Sequence, residues 1–148
     1  MIKVQSQAFD PGAELAELKA GRCDIGASAL FIGSVRDISE GRDVQAMTLE
    51  HYPGMTEAAL AEIEAEALAR WPISASLIIH RYGRLQPGED IVLVIACSAH
   101  REAAFQACQF LMDWLKTKAP FWKLEAGSQG ADWVAAKHSD DEAADRWS

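Results

Sequence analysis

Apolar and polar positions along this chain change period several times, and each change marks an element. Ile2–Ser6 alternates like a short strand. Asp10-Pro11 then supplies an N-cap followed by proline at the first helical position, and Gly21 closes the helix they open. Residues 26–33, Gly-Ala-Ser-Ala-Leu-Phe-Ile-Gly, form a buried-strand run that enters a polar, charged loop over residues 36–43. Val44–Tyr52 returns with strand-like alternation. From Met55 to Trp71 apolar residues recur at helical spacing (Met55, Ala59, Leu60, Ile63, Ala67), and Pro72 ends the run.

Two β-branched runs follow, Ser76–Tyr82 and Asp90–Ser98, joined by Gln86-Pro87-Gly88-Glu89, whose Pro-Gly pair has type II turn chemistry. A long helix is predicted from about His100 to Lys118. Strands at Phe121–Glu125 and Asp132–Ala136 precede a polar tail. The order β-α-β-β-α-β-β-α-β-β predicts an α+β domain with mixed strand pairing, and no repeat or linker divides residues 1–148.

The chain has 148 residues, 49% of them hydrophobic, which is enough for one core. A net charge of −8 argues against nucleic-acid or anionic-membrane binding. No apolar run approaches the ~18–20 residues of a membrane span. The three cysteines, Cys23, Cys97 and Cys108, are odd in number and form no CxxC. Neither a disulfide framework nor a metal site is expected, and a reducing cytoplasm fits.

Against that acidic background, residues 115–125 stand apart: Leu-Lys-Thr-Lys-Ala-Pro-Phe-Trp-Lys-Leu-Glu. Lys116 ends an apolar helical run, Pro120 stops the helix, and Lys123 lies in an aromatic, strand-like segment. The fold-back can bring two ammonium groups together against apolar walls. Lowering a lysine from ~10.4 to ~7–8 requires about 3–5 kcal/mol, which burial and like charge can supply. Such a lysine serves as general acid, general base or nucleophile.

Other cations also sit at element ends. Ser98 is an expected N-cap, with His100 and Arg101 in the first helical turn, where the dipole disfavours cations and a bound anion would compensate. Arg36 follows Gly33, which permits close backbone approach. His80 and Arg81 alternate, so one of them is expected to face the core side. Trp114, Phe121 and Trp122 could stack on a flat heterocycle or fill the core. The residues alone describe a cationic pocket for a small anion. An enzyme and a non-catalytic binding module both fit that description.

As a set, five segments resemble the catalytic (large) subunit of molybdopterin synthase over nearly the whole chain. They are residues 31–36 (Phe-Ile-Gly-Ser-Val-Arg), 49–55 (Leu-Glu-His-Tyr-Pro-Gly-Met), 80–85 (His-Arg-Tyr-Gly-Arg-Leu), 98–105 (from Ser98-Ala99-His100-Arg101 to Ala104-Phe105) and 115–125. The resemblance implies an α/β hammerhead-like mixed sheet with packed helices and a small added β subdomain. It implies a sulfurtransferase that converts cyclic pyranopterin monophosphate to molybdopterin, forming a dithiolene. Sulfur would come from the C-terminal Gly-Gly thiocarboxylate of a small ubiquitin-like sulfur-carrier subunit, within a heterotetramer built on a homodimer of this chain. Lys116 and Lys123 match the family's catalytic lysines, and Arg36, His100 and Arg101 its pterin- and phosphate-binding groups. No cofactor is implied. Leu124 departs from the family pattern, where relatives often carry a basic residue. The cysteines match no catalytic position, and both the 36–43 loop and the tail after His138 are expected to be mobile without ligand.

Overall fold

The computed structural model describes residues 1–39, 42–43, 46–118, 121–127, 130–134 and 138–147, with backbone alone for 38–39, 42–43, 121–127, 130–134 and 138–141. In chain order the elements are β1 (Ile2–Gln5), α1 (Pro11–Lys19), β2 (Ala27–Ser34), β3 (Ile38–Ser39), β4 (Arg42–Asp43), β5 (Ala46–His51), α2 (Met55–Arg70), β6 (Ile73–Arg81), β7 (Gly83–Leu85), β8 (Asp90–Ser98), α3 (Arg101–Lys118), β9 (Phe121–Gly127), β10 (Gly130–Val134) and α4 (His138–Asp145). This is the expected α+β architecture. One four-stranded sheet has the order β1-β6-β8-β2, a second the order β10-β9-β5-β7, and β3 pairs with β4. The first sheet is mixed, since β1 runs parallel to β6 while β6–β8 and β8–β2 are antiparallel.

The central strands β6 and β8 are apolar on both sides because both faces of the first sheet are covered. Leu77, Ile79, Leu93, Ile95 and Cys97 meet Leu15 and Leu18 of α1. Ile78, Val92, Val94 and Ala96 face the larger core with Leu60 and Ile63 of α2 and Ala107, Phe110 and Leu111 of α3. This double burial explains why alternation failed to separate His80 from Arg81. Both are buried, one toward each layer. Arg81 is structural: its guanidinium donates to the Ser6 carbonyl at 3.1 Å and the Asp90 carbonyl at 3.0 Å, tying the end of β1 to the start of β8.

Several local expectations hold. The Asp10 carboxylate accepts from Ala13 N–H at 3.1 Å, capping α1. Gly88 has φ +93° and Glu89 N–H donates to the Gln86 carbonyl at 3.1 Å, as a type II turn requires. Other expectations need correction. Met55 is exposed, and the buried stripe of α2 runs Thr56, Leu60, Ile63, Ala67. Ser98 Oγ accepts from His100 N–H at 3.4 Å, a cap-like contact, but Ser98 does not adjoin α3. It is buried, donates to the Pro72 carbonyl at 3.0 Å, and helix geometry begins three residues later. The loop after Arg36 contains the β3–β4 pair, and the segment after His138 is a helix whose Ala144 is buried. Pro120 lies outside the described residues.

Gly26 marks the tightest backbone approach in the first sheet. A Cβ there would lie 2.2 Å from the Ala99 carbonyl oxygen, and Gly26 N–H already donates to the Ser98 carbonyl at 2.9 Å. Backbone cannot yield as a side chain does. Gly26→Ala is therefore expected to destabilise by about 1–3 kcal/mol, read as a lowered urea midpoint with an unchanged slope. Gly21→Ala gives the comparison case, because its φ of +71° imposes strain with no atom near the added methyl.

Candidate functional site

Helix α3 sets where the cations lie. It leaves β8 after a two-residue connection and packs back over β8 and β2, with Cys108 Sγ 4.0 Å from the Val94 carbonyl. From Arg101 to Lys116 it advances about 22 Å at 1.5 Å per residue. Its start therefore sits beside Ser98 and its end at the level of Asp90, the other end of the strand.

Strand β2 gives the same division. Ala27 pairs with Ser98 and Ser34 with Asp90, so Arg36 emerges at the Asp90 end. There Ser34 Oγ donates to Asp90 Oδ1 at 2.7 Å, and Val35 N–H donates to the Glu89 carbonyl at 2.9 Å. The second sheet continues from that end. β7 follows β6 directly, pairs with β5, and β5 pairs with β9 so that Leu49 stands opposite Lys123. The fold thus brings Arg36, Lys116 and the backbone of Lys123 to one end of the molecule. The Lys123 side chain lies outside the described residues.

His100 and Arg101 occupy the opposite end. With Gly26, Ala27, Ala99 and Glu102 they line an open cleft of about 420 Å³. Arg101 opens α3, His100 stands just before it, and both are exposed. No carboxylate among the described residues forms an ion pair with Arg36, Arg101 or Lys116. Within one chain, His100 and Arg101 therefore stand apart from Arg36 and Lys116.

Lys116 is exposed, with Leu115 buried behind it. The described residues of one chain do not supply the apolar walls expected around its ammonium. Trp114 is core-like rather than a free stacking platform. It packs edge-on to Phe110 at 6.3 Å, while Lys118 Nζ lies 5.1 Å from its ring centroid. The Phe121 and Trp122 side chains are outside the described residues.

Sequence reasoning left His51 and Tyr82 without a role, yet they stack at the Lys116 end. Their rings are 4.2 Å apart, and His51 Nε2 is 3.8 Å from Glu57 Oε1. Glu57 in turn accepts from Gly54 N–H at 2.5 Å, so the strand-to-helix corner is fixed by one carboxylate. The available signal was the presence of His51 and Tyr82 in two of the five motif segments, residues 49–55 and 80–85.

The thiols play no evident part in this arrangement. Cys97 and Cys108 are buried, and burial pushes Cys108 up to about 11, so its sulfur stays protonated and unreactive near neutrality. Cys23 is exposed. Thiol labelling of native protein at pH 7.5 is expected to modify Cys23 rapidly and the other two only after denaturation. Fast native labelling of Cys108 would contradict its placement in the core.

Comparison with known proteins adds a consistent set of similarities. The family described as MoaE protein matches residues 4–118. The molybdopterin synthase catalytic subunit of Pseudomonas aeruginosa is 58% identical over 99% of this chain and 97% of that protein. The molybdopterin biosynthesis MoaE protein from Burkholderia ambifaria superposes with a TM-score of 0.85 at 51% identity, covering 99% of this chain and 97% of that one. The crystal structure of molybdopterin synthase from Staphylococcus aureus gives a TM-score of 0.83 at 28% identity, covering 90% and 96%.

Proposed function

The chain belongs to the MoaE family, and from that premise we propose that it transfers sulfur to a pyranopterin monophosphate, forming the dithiolene of molybdopterin. The supporting observation is the convergence of Arg36, Lys116 and the Lys123 backbone at one end of an otherwise acidic protein. A phosphate-bearing substrate and a thiocarboxylate donor both carry negative charge, so a local cationic end selects them electrostatically. The donor is the C-terminal Gly-Gly thiocarboxylate of a small ubiquitin-like sulfur-carrier subunit. Among the described residues no helix is long and apolar enough to cross a membrane, and the reaction is assigned to the cytoplasm.

In this reading Lys116 is the acid/base or electrostatic catalyst, and Lys123 assists it and holds the carrier tail. The apolar surroundings that a working lysine needs come from the docked tail, which excludes water from an ammonium that is exposed in the free chain. Arg36 binds the substrate from the same end.

His100 and Arg101 join the site from a second copy of the chain. Strand β2 is the outer strand of its sheet and exposes Leu30, Phe31 and Ile32 in succession, while Phe105 on α3 is 66% exposed. A run of apolar residues on an open strand edge is suited to pairing with another chain. A twofold axis near β2 would carry the partner's first helical turn toward this chain's lysine end, completing the set in each half of a homodimer. The sulfur carriers then bind one per half, giving the heterotetramer.

The test is reconstitution with thiocarboxylated carrier and pyranopterin precursor. Wild type is expected to yield product, and Lys116→Ala and Arg101→Ala to lose at least about 100-fold in turnover. Co-expressed Lys116→Ala and Arg101→Ala chains should recover about one quarter of wild-type turnover, because half of randomly paired dimers are hybrids and each hybrid holds one intact site. Silent hybrids would place the whole site within one chain. A wild-type chain that binds the carrier but makes no product would favour the binding-module reading.

A further inference from the structure

The lysine-bearing segment is held by a contact that the reaction itself does not use. Trp147 Nε1 donates to the Asp113 carboxylate at 2.5 Å across a separation of 34 residues. Asp113 lies three residues before Lys116, on the adjacent turn of α3. The Trp147 ring stands edge-on to Phe110 at 5.7 Å and to Trp71 at 5.6 Å. The chain leaving α3 runs through β9, β10 and α4 and returns to α3 at that hydrogen bond. Lys116 and Lys123 both lie inside the loop that it closes.

We propose that the Asp113–Trp147 hydrogen bond is a clamp that fixes this loop, making Trp147 a positioning residue for sulfur transfer. The inference rests on the reading of Lys116 and Lys123 as the working lysines. The last turns of α3 are braced by the core beneath them and by contacts within the helix. Leu111, Met112 and Leu115 are buried beneath them. Thr117 Oγ1 donates to the Trp114 carbonyl at 3.3 Å, and Lys118 lies over the Trp114 ring. Lys116 is thus carried on a rigid support. The Lys123 backbone stands between Leu49 of β5 and Val134 of β10, and the chain beyond β10 reaches α3 through α4. An indole N–H held by a carboxylate is charge-assisted and directional, so it defines where that return docks. Closing a loop removes alternatives for the residues within it. For two lysines that act on one substrate, a displacement of about 1 Å is enough to cost rate.

The discriminating variant is Trp147→Phe, which keeps an aromatic ring against Phe110 and Trp71 and removes only the N–H. In the reconstituted complex, kcat is expected to fall about 10-fold while KM for the carrier stays within about twofold, as loss of transition-state geometry requires. Asp113→Ala should match it, and the double variant should be no worse than either single one, because both remove one bond. Asp113→Asn retains a carbonyl oxygen at the same place and should restore most of the turnover. Amide exchange in β9 should accelerate in Trp147→Phe with the global unfolding midpoint little changed. A Trp147→Phe enzyme with wild-type kcat overturns the clamp, whether or not β9 exchange rises. So does Asp113→Asn proving as slow as Asp113→Ala. A wild-type chain without turnover overturns the reading of the lysines, and the clamp's role in transfer falls with it.

Discussion

The double-sided burial of β6 and β8 is the constraint from which the other features follow. Their runs, from Leu77 to Ile79 and from Ile91 to Cys97, are almost fully withdrawn from water. Both faces of the sheet must therefore be covered, one by α1 and the other by α2 and α3. A helix that covers a nine-residue strand and starts right after it has little choice but to run back along it. Its two ends are then pinned to opposite ends of the sheet. Whatever chemistry sits on the first turn of α3 is separated by the length of the strand from whatever sits on the last.

That separation bears on the proposed function. A protein using both ends of α3 on one small substrate cannot do so with one copy, because the substrate is much shorter than the helix. The same sheet leaves β2 with an unpaired edge and three exposed apolar residues. The packing that divides the cations also leaves the surface through which a second copy can reunite them. Burial of the core, the open edge and the separation of the cations along α3 are consequences of one arrangement.

Much of this was legible in the sequence. Turn chemistry located α1 and the Gln86–Glu89 turn, because Asp10-Pro11 and Pro87-Gly88 act locally and need no tertiary context. Strands β6 and β8 were legible as apolar β-branched runs. What stayed hidden was set by long-range partners. The buried environment of Arg81 depends on Ser6, 75 residues away, and that of Ser98 on Pro72, 26 residues away. α4 was read as a polar tail because its sequence His-Ser-Asp-Asp-Glu-Ala-Ala-Asp shows little apolar surface. It is placed by packing on α3, with Trp147 just beyond it docked among Trp71 and Phe110. For the site, residue types were legible and distances were not. Sequence order put His100, Arg101 and Lys116 along one predicted helix, and the packing of that helix along β8 and β2 showed that Arg36 shares the Lys116 end.

An exposed Lys116 also bears on how such a lysine can be prepared for chemistry. Permanent burial of an ammonium is costly without a partner, and an acidic fold would readily supply a carboxylate that holds it in an inert ion pair. The described residues supply neither burial nor such a pair. If Lys116 is the working lysine proposed above, leaving it in water until an anionic tail and an anionic substrate arrive avoids both costs. Water is then removed only when the charges that need the ammonium are already beside it, which strengthens their attraction as the local dielectric falls. The free chain can therefore remain stable with its cations uncovered. In the proposed reading, activation of the lysine is a property of the assembled complex, built on a helix end whose position the core has already fixed.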